Sequence, residues 1–299
     1  LSELVLPLAD QVTMTVRAHA AQAMQPSRGA SDLVALGGVL HFVHFCSPLV
    51  EEWQFEPPLV GLHAESAEAE PVHGARDDAE GGVARDGVFT RVVLAWRDLA
   101  AEVEEFVLDA VLSGFCGGAH RYVSALRELR FAPPAPEPPL TPDVSVSLVE
   151  PLMQLRSQLV SVHGALPTVA SRRVVQVVAA RIDRWLYEQA ATRTHVSAGG
   201  ASQLQHDFLA VIGAFGLVHV NPRAALRRLG EAAALFGLSS ERRGLLLRLS
   251  AEANGAEGFA AGGTAALRQA LEENGVFQLC ATEIQEILRK IVDGSASQF

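Results

Sequence analysis

Apolar residues recur at three- to four-residue spacing along most of the chain, and that period predicts helices. Val5, Leu8, Val12, Val16 and Ala20 form a first stripe, and Leu33, Leu36, Leu40 and Val43 a second that begins after Ser31. Val93, Trp96, Ala100, Val103 and Val107 form a third. Leu148, Leu152, Leu155, Leu159 and Val162 form a fourth with nearly heptad spacing. Val175, Val178, Ile182 and Trp185 make the fifth, and Leu204, Phe208, Val211 and Phe215 the sixth.

Shorter helices follow. Asn221-Pro222 reads as an N-cap with proline at the first helical position, ahead of Leu226, Leu229 and Phe236. Ser239 or Ser240 caps the next, which carries Leu245, Leu246 and Leu249. Another starts near Thr264 and stops at Asn274-Gly275, and the last holds Ile284, Ile287, Leu288 and Ile291. The alternation Val144-Ser145-Val146-Ser147 is too short to build a sheet. The expected fold class is therefore all-α.

Two stretches break the helical pattern. Residues 61–87 hold seven acidic residues and two arginines with few large apolar groups, and read as a solvated acidic loop. Residues 132–142 hold six prolines, which cannot continue a helix, and read as an extended linker. This divides the chain into a helical segment 1–131, a Pro-rich linker 132–142 and a helical bundle 143–299.

Composition narrows the class. Leu, Val and Ala dominate the apolar half of the 299 residues, which favours helix over sheet. Cys46, Cys116 and Cys280 are odd in number and far apart, so a reduced cytosolic setting is expected. No unbroken run of eighteen apolar residues occurs, so no membrane span is expected. The chain opens Leu1-Ser2-Glu3 without an initiator Met and reads as a piece of a longer polypeptide.

Charge is polarised. Residues 1–171 carry 10 basic and 22 acidic groups, a net of −12, whereas 172–248 carry 11 arginines and 5 acids, a net of +6. Such a surface suits an acidic protein partner or an anionic membrane; solvated helix faces explain it equally simply. Arg172, Arg173, Arg181 and Arg184, on one predicted helix with Trp185 and Tyr187, are the candidate partner contacts, because Arg and aromatics are the usual interface anchors.

Reactive chemistry finds little support. Gly114-Phe115-Cys116-Gly117-Gly118 has nucleophile-elbow spacing, but the elbow needs a preceding strand and 103–112 reads as helix. His41, His44 and Cys46 resemble metal ligands, yet no second cluster completes four-coordination. Gly199-Gly200 could cradle an anion, but no Gly-Lys-Ser/Thr follows and the sole lysine is Lys290. Ser202, His206 and Asp207 form no triad, since Asp207 points about 100° away from His206 on a helix. The arginines of the basic block come with no recognisable nucleic-acid motif. Neither an enzyme nor a nucleic-acid binder is expected, and no metal or cofactor is called for.

The stretch Gly199 to Asp207, GGASQLQHD, resembles the Gly-Gly-Ala-x-Gln-Leu-x-x-Asp signature of the Rad-fifty-interacting protein / Tip-twenty family of endoplasmic-reticulum vesicle-tethering subunits. Its flanks ARIDRWLYEQ (Ala180 to Gln189) and LEENGVFQL (Leu271 to Leu279) are similar to the family's neighbouring segments, and LVEEWQFEPPLVGL (Leu49 to Leu62) matches more weakly. The resemblance implies an elongated stack of antiparallel helices of the tethering-complex rod type, here the C-terminal portion of a subunit. It implies a non-catalytic member of a hetero-oligomeric complex that captures Golgi-derived retrograde vesicles and binds SNARE proteins. Such a subunit would sit on the cytosolic face of the endoplasmic reticulum, held to the membrane only peripherally through its partners. In this reading Gly199, Gly200, Ala201, Gln203, Leu204 and Asp207 form a structural turn and helix start, with the two glycines as the hinge. A generic helical scaffold in cell-cycle or DNA-repair signalling is the alternative.

Overall fold

A computed structural model describes residues 2–25, 31–53, 56, 89–126, 143–255 and 261–292. The acidic stretch 61–87 and the Pro-rich stretch 132–142 lie outside the described residues. The architecture is all-α, as the periodicity predicts. In order, the helices are α1 (Ser2–Ala23), α2 (Ser31–Trp53), α3 (Thr90–Gly118), α4 (His120–Ala125), α5 (Val146–Ala165) and α6 (Thr168–Leu186). A π-helical turn (Tyr187–Ala191) and a two-residue strand β1 (Val196–Ser197) lead into α7 (Ala198–Phe215). Then come α8 (Pro222–Ala225), α9 (Arg227–Phe236), α10 (Ser240–Gly255), α11 (Ala261–Glu273), α12 (Ala281–Arg289) and a second short strand β2 (Ile291–Val292).

The chain groups into two compact units, Leu1–Val107 with Ser161–Val174, and Leu108–Val160 with Val175–Phe299. Their limits fall inside α3, α5 and α6, whereas the linear division predicted from composition falls at 132–142.

In the first unit α1 packs on α2, and Trp96 of α3 joins them. Its ring meets Phe42 edge-on at 5.4 Å, and its indole N–H donates to the Thr13 hydroxyl at 3.0 Å. The second stripe is inward as predicted at Leu36, Leu40 and Val43. The first is less so: Ala20 is buried, but Leu8 is 66% exposed. By length and composition α2 could cross a membrane, an 18-residue window within Leu33–Trp53 having a mean hydropathy of 1.8. His41, His44 and Ser47 interrupt the apolar run, as the sequence shows, without lowering the average below that of a span, and a core helix passes the same test of length and apolarity. About a third of that stretch is buried in the fold (33%).

In the second unit α7 packs against α9, with Phe208 and Phe236 edge-to-face at 5.9 Å, while α10 packs against α11 and α12. The stripes Leu148, Leu152, Leu155, Leu159 and Leu204, Phe208, Val211, Phe215 are buried throughout. Asn221 caps α8 by accepting the Ala224 N–H at 3.2 Å. That helix stops after one turn, Leu226 (φ −113°, ψ 59°) breaks the backbone, and α9 starts afresh at Arg227. Ser239 caps α10, its hydroxyl accepting the Arg242 N–H. The three consecutive leucines 245–247 cannot all face inward on a helix; Leu246 is buried and Leu245 is 43% exposed.

Helix α11 ends at Gly275, φ +74°, the one positive-φ position among the described residues. The Val276 N–H donates to Leu271 O (2.9 Å) and the Gly275 N–H to Glu272 O (3.0 Å). That pair of bonds, with Val276 and Leu271 both buried, is a Schellman stop. The strands were not predicted. They pair in parallel, Val196 with Ile291 and Ser197 with Val292, and fasten the start of the family-like signature to the end of α12.

Candidate functional site

The signature occupies the first turns of α7. Ser197, in extended conformation (φ −74°, ψ 173°), accepts the Gly200 N–H through its hydroxyl at 3.1 Å, and so is the N-cap. Gly199 and Gly200 lie inside the helix, so the non-helical connection from the π-helical end of α6 is residues 192–195 and β1, and not the two glycines. Ala201 and Leu204 have no exposed surface and face the core.

Asp207 also has no exposed surface, and it reaches back sixty-two residues. Its carboxylate accepts the Ser145 N–H at 2.8 Å and the Ser145 O–H at 2.6 Å. Gln203 completes the clip by donating from Nε2 to Asp143 O at 2.9 Å and to Asp207 at 3.2 Å. Residues 143–145 are thereby fixed at the start of α5, where the N–H groups of a helix lack internal acceptors. Tyr122 lies beside this carboxylate, 1% exposed, and burial followed by the Asp207 charge holds its phenol well above the usual range.

Two more buried carboxylates do the same work. Asp183 accepts the N–H groups of Leu229 (2.8 Å) and Arg228 (3.3 Å), which starts α9 where α8 has broken off. Burial raises its carboxyl above the ordinary value, and the two backbone donors and Arg228 oppose that. Glu231 of α9 accepts the N–H groups of Phe277, Gln278 and Leu279 at 2.9 to 3.1 Å. Sequence reasoning missed Ser145, Asp183 and Glu231 as structural residues. Acids inside predicted amphipathic helices look like surface charge, and only contact with a distant helix start reveals the role.

The candidate partner contacts divide. Arg172 is exposed. Arg173 pairs with Glu104 at 3.0 Å, and Glu104 is 8% exposed and 3.8 Å from the His44 imidazole. Arg181 pairs with Asp109 at 3.4 Å and Arg184 with Glu188 at 2.9 Å, one turn along the helix. Trp185 is half-buried, edge-on to Phe115 at 6.2 Å. Tyr187 is 3% exposed under the Arg228 guanidinium, 5.3 Å from its ring centre, so its side chain faces inward. Burial, then the Glu283 charge, raises its phenol.

Cys116 sits within α3 with no strand before it, and burial pushes its thiol up, as it does for Cys46. A nucleophilic cysteine needs the opposite shift. Among the described residues no group of three or more His, Cys, Asp or Glu side chains is placed to hold a metal ion.

No individual curated protein matches the chain. A family model does, that of the RINT-1/TIP-1 family, over residues 5–291. That span takes in most of both compact units, the signature, its clip to Ser145 and the pairing of Val196 with Ile291 that closes on it. The chain therefore belongs to the RINT-1/TIP-1 family, whose members serve in tethering complexes associated with the endoplasmic reticulum.

Proposed function

We propose that this chain is a non-catalytic, cofactor-free subunit of a tethering complex that captures Golgi-derived retrograde vesicles and binds SNARE proteins at the cytosolic face of the endoplasmic reticulum. The observation that carries the reading is the family match over nearly the whole chain. The use of the signature supports it: its Gln203 and Asp207 are spent on the clip to residues 143–145, and Ser197 just before it on the helix cap, which suits a scaffold. Its assembly is hetero-oligomeric, and partners hold it at the membrane.

Arg172 and Arg184 are the partner-facing candidates of α6, since Arg172 is exposed and Arg184 pairs only along its own helix with Glu188, whereas Arg173 and Arg181 pair with acids of α3. Affinity purification of the chain from cells tests the proposal. It should bring down tether subunits together with a SNARE, and a preparation holding neither would defeat it. Charge reversal at Arg172, Arg173 and Arg184 should weaken that capture. Arg173→Glu also strips Glu104 of its cation, so a thermal melt must accompany it.

A further inference from the structure

The loop between α7 and α8 presents apolar side chains outward from a fixed turn. The N–H groups of Val218 and His219 both donate to Phe215 O, at 3.0 and 2.9 Å, and His219 Nδ1 accepts the Asn221 N–H at 3.1 Å. Backbone and cap bonds thus hold the turn on both sides. At its tip Leu217 is 54% exposed and Val220 fully so. The positions that follow are basic: Arg223, Arg227 and Arg228 are exposed on α8 and the start of α9. From residue 208 to 230 the sequence contains no acidic side chain.

We propose that this tip is a direct, weak contact with an anionic lipid surface. Leu217 and Val220 enter the headgroup region while Arg223 and Arg227 meet lipid phosphates at its edge. A protein hot spot is usually an anchor seated in a pocket, whereas here two aliphatic chains project from a convex turn, a shape that a soft interface accommodates. The whole chain carries −10, but screening within about 8 Å at physiological salt leaves the local arginines to set the attraction. The contact stands apart from the SNARE and tether reading and would orient a subunit already brought to the membrane by its partners.

Co-flotation of the 299-residue chain with phosphatidylcholine vesicles, with and without phosphatidylserine, tests it. Binding is expected only with the anionic lipid and should fall as salt rises. Arg223→Gln with Arg227→Gln should reduce it about thirtyfold, from about 1 kcal/mol per arginine at a membrane surface. Leu217→Ser with Val220→Ser should also abolish flotation, and Val220→Trp should blue-shift on vesicle addition. Because these side chains are exposed, thermal melts should not move. Absence of flotation for the wild type overturns the proposal. So does loss in the arginine variant alone with no blue shift, which would mean electrostatic adsorption without insertion. Loss of a co-purifying protein with vesicle binding intact in the same variants would assign the tip to a protein partner instead.

Discussion

Asp207 and Ser145, sixty-two residues apart, are joined by two hydrogen bonds to one buried carboxylate, 2.8 Å from the backbone N–H and 2.6 Å from the hydroxyl. Asp207→Ala removes the acceptor and strands a part-buried N–H at the start of α5. A buried donor left without a partner costs about 1–3 kcal/mol, and more when the lost acceptor is charged. We expect a loss of about 2–4 kcal/mol in urea unfolding. Ser145→Ala should cost about 1 kcal/mol, as removing an N-cap hydroxyl does. If the two losses simply add in the double variant, the bond from the Ser145 hydroxyl to Asp207 contributes to neither.

Asp183 predicts a pH dependence. Its carboxyl is raised from the ordinary 3.8, chiefly by burial. The folded chain therefore holds that proton more tightly than the unfolded chain. The resulting stability is complete below the unfolded value and is lost as pH rises through the raised folded value. Asp183→Asn cannot titrate there. The wild-type minus Asp183→Asn difference in Tm should be largest in acid and decline to a plateau as pH rises. A difference that grows with pH would contradict the burial argument.

Gly37 marks a close approach. A Cβ there would lie 2.1 Å from the backbone oxygen of Ala165, which cannot move aside as a side-chain end can. Alanine would gain about 1 kcal/mol in helix propensity. Overpacking against backbone costs about 1–3 kcal/mol or more. Gly37→Ala should therefore lower the melting temperature. Gly38→Ala, whose Cβ meets nothing within 4 Å, should raise it slightly.

Glu231 holds three successive backbone N–H groups in the approach to α12. Glu231→Ala should free residues 277–279 before the rest of the fold. Hydrogen exchange would read this as faster exchange at Phe277, Gln278 and Leu279, with α7 little changed. Exchange that rises evenly across the chain would mean global destabilisation and no local clip.

The sequence by itself determined the helices, because the apolar period of Leu148 to Val162 or Leu204 to Phe215 admits one inward face. It also determined the cap at Asn221 and the stop at Gly275, and narrowed the next cap to Ser239 or Ser240, all of which rest on local backbone chemistry. The signature likewise marks the family. Tertiary structure alone decided which stripes are covered: Leu8 and Leu245 match their periods but lie exposed, since cover depends on neighbouring helices. It decided that Gly199 and Gly200 begin a helix while the non-helical connection lies upstream, and that Tyr187 faces inward beneath Arg228. It also made Asp183, Asp207 and Glu231 structural. A carboxylate's role depends on which N–H groups come within about 3 Å, and those groups come from segments more than forty residues away.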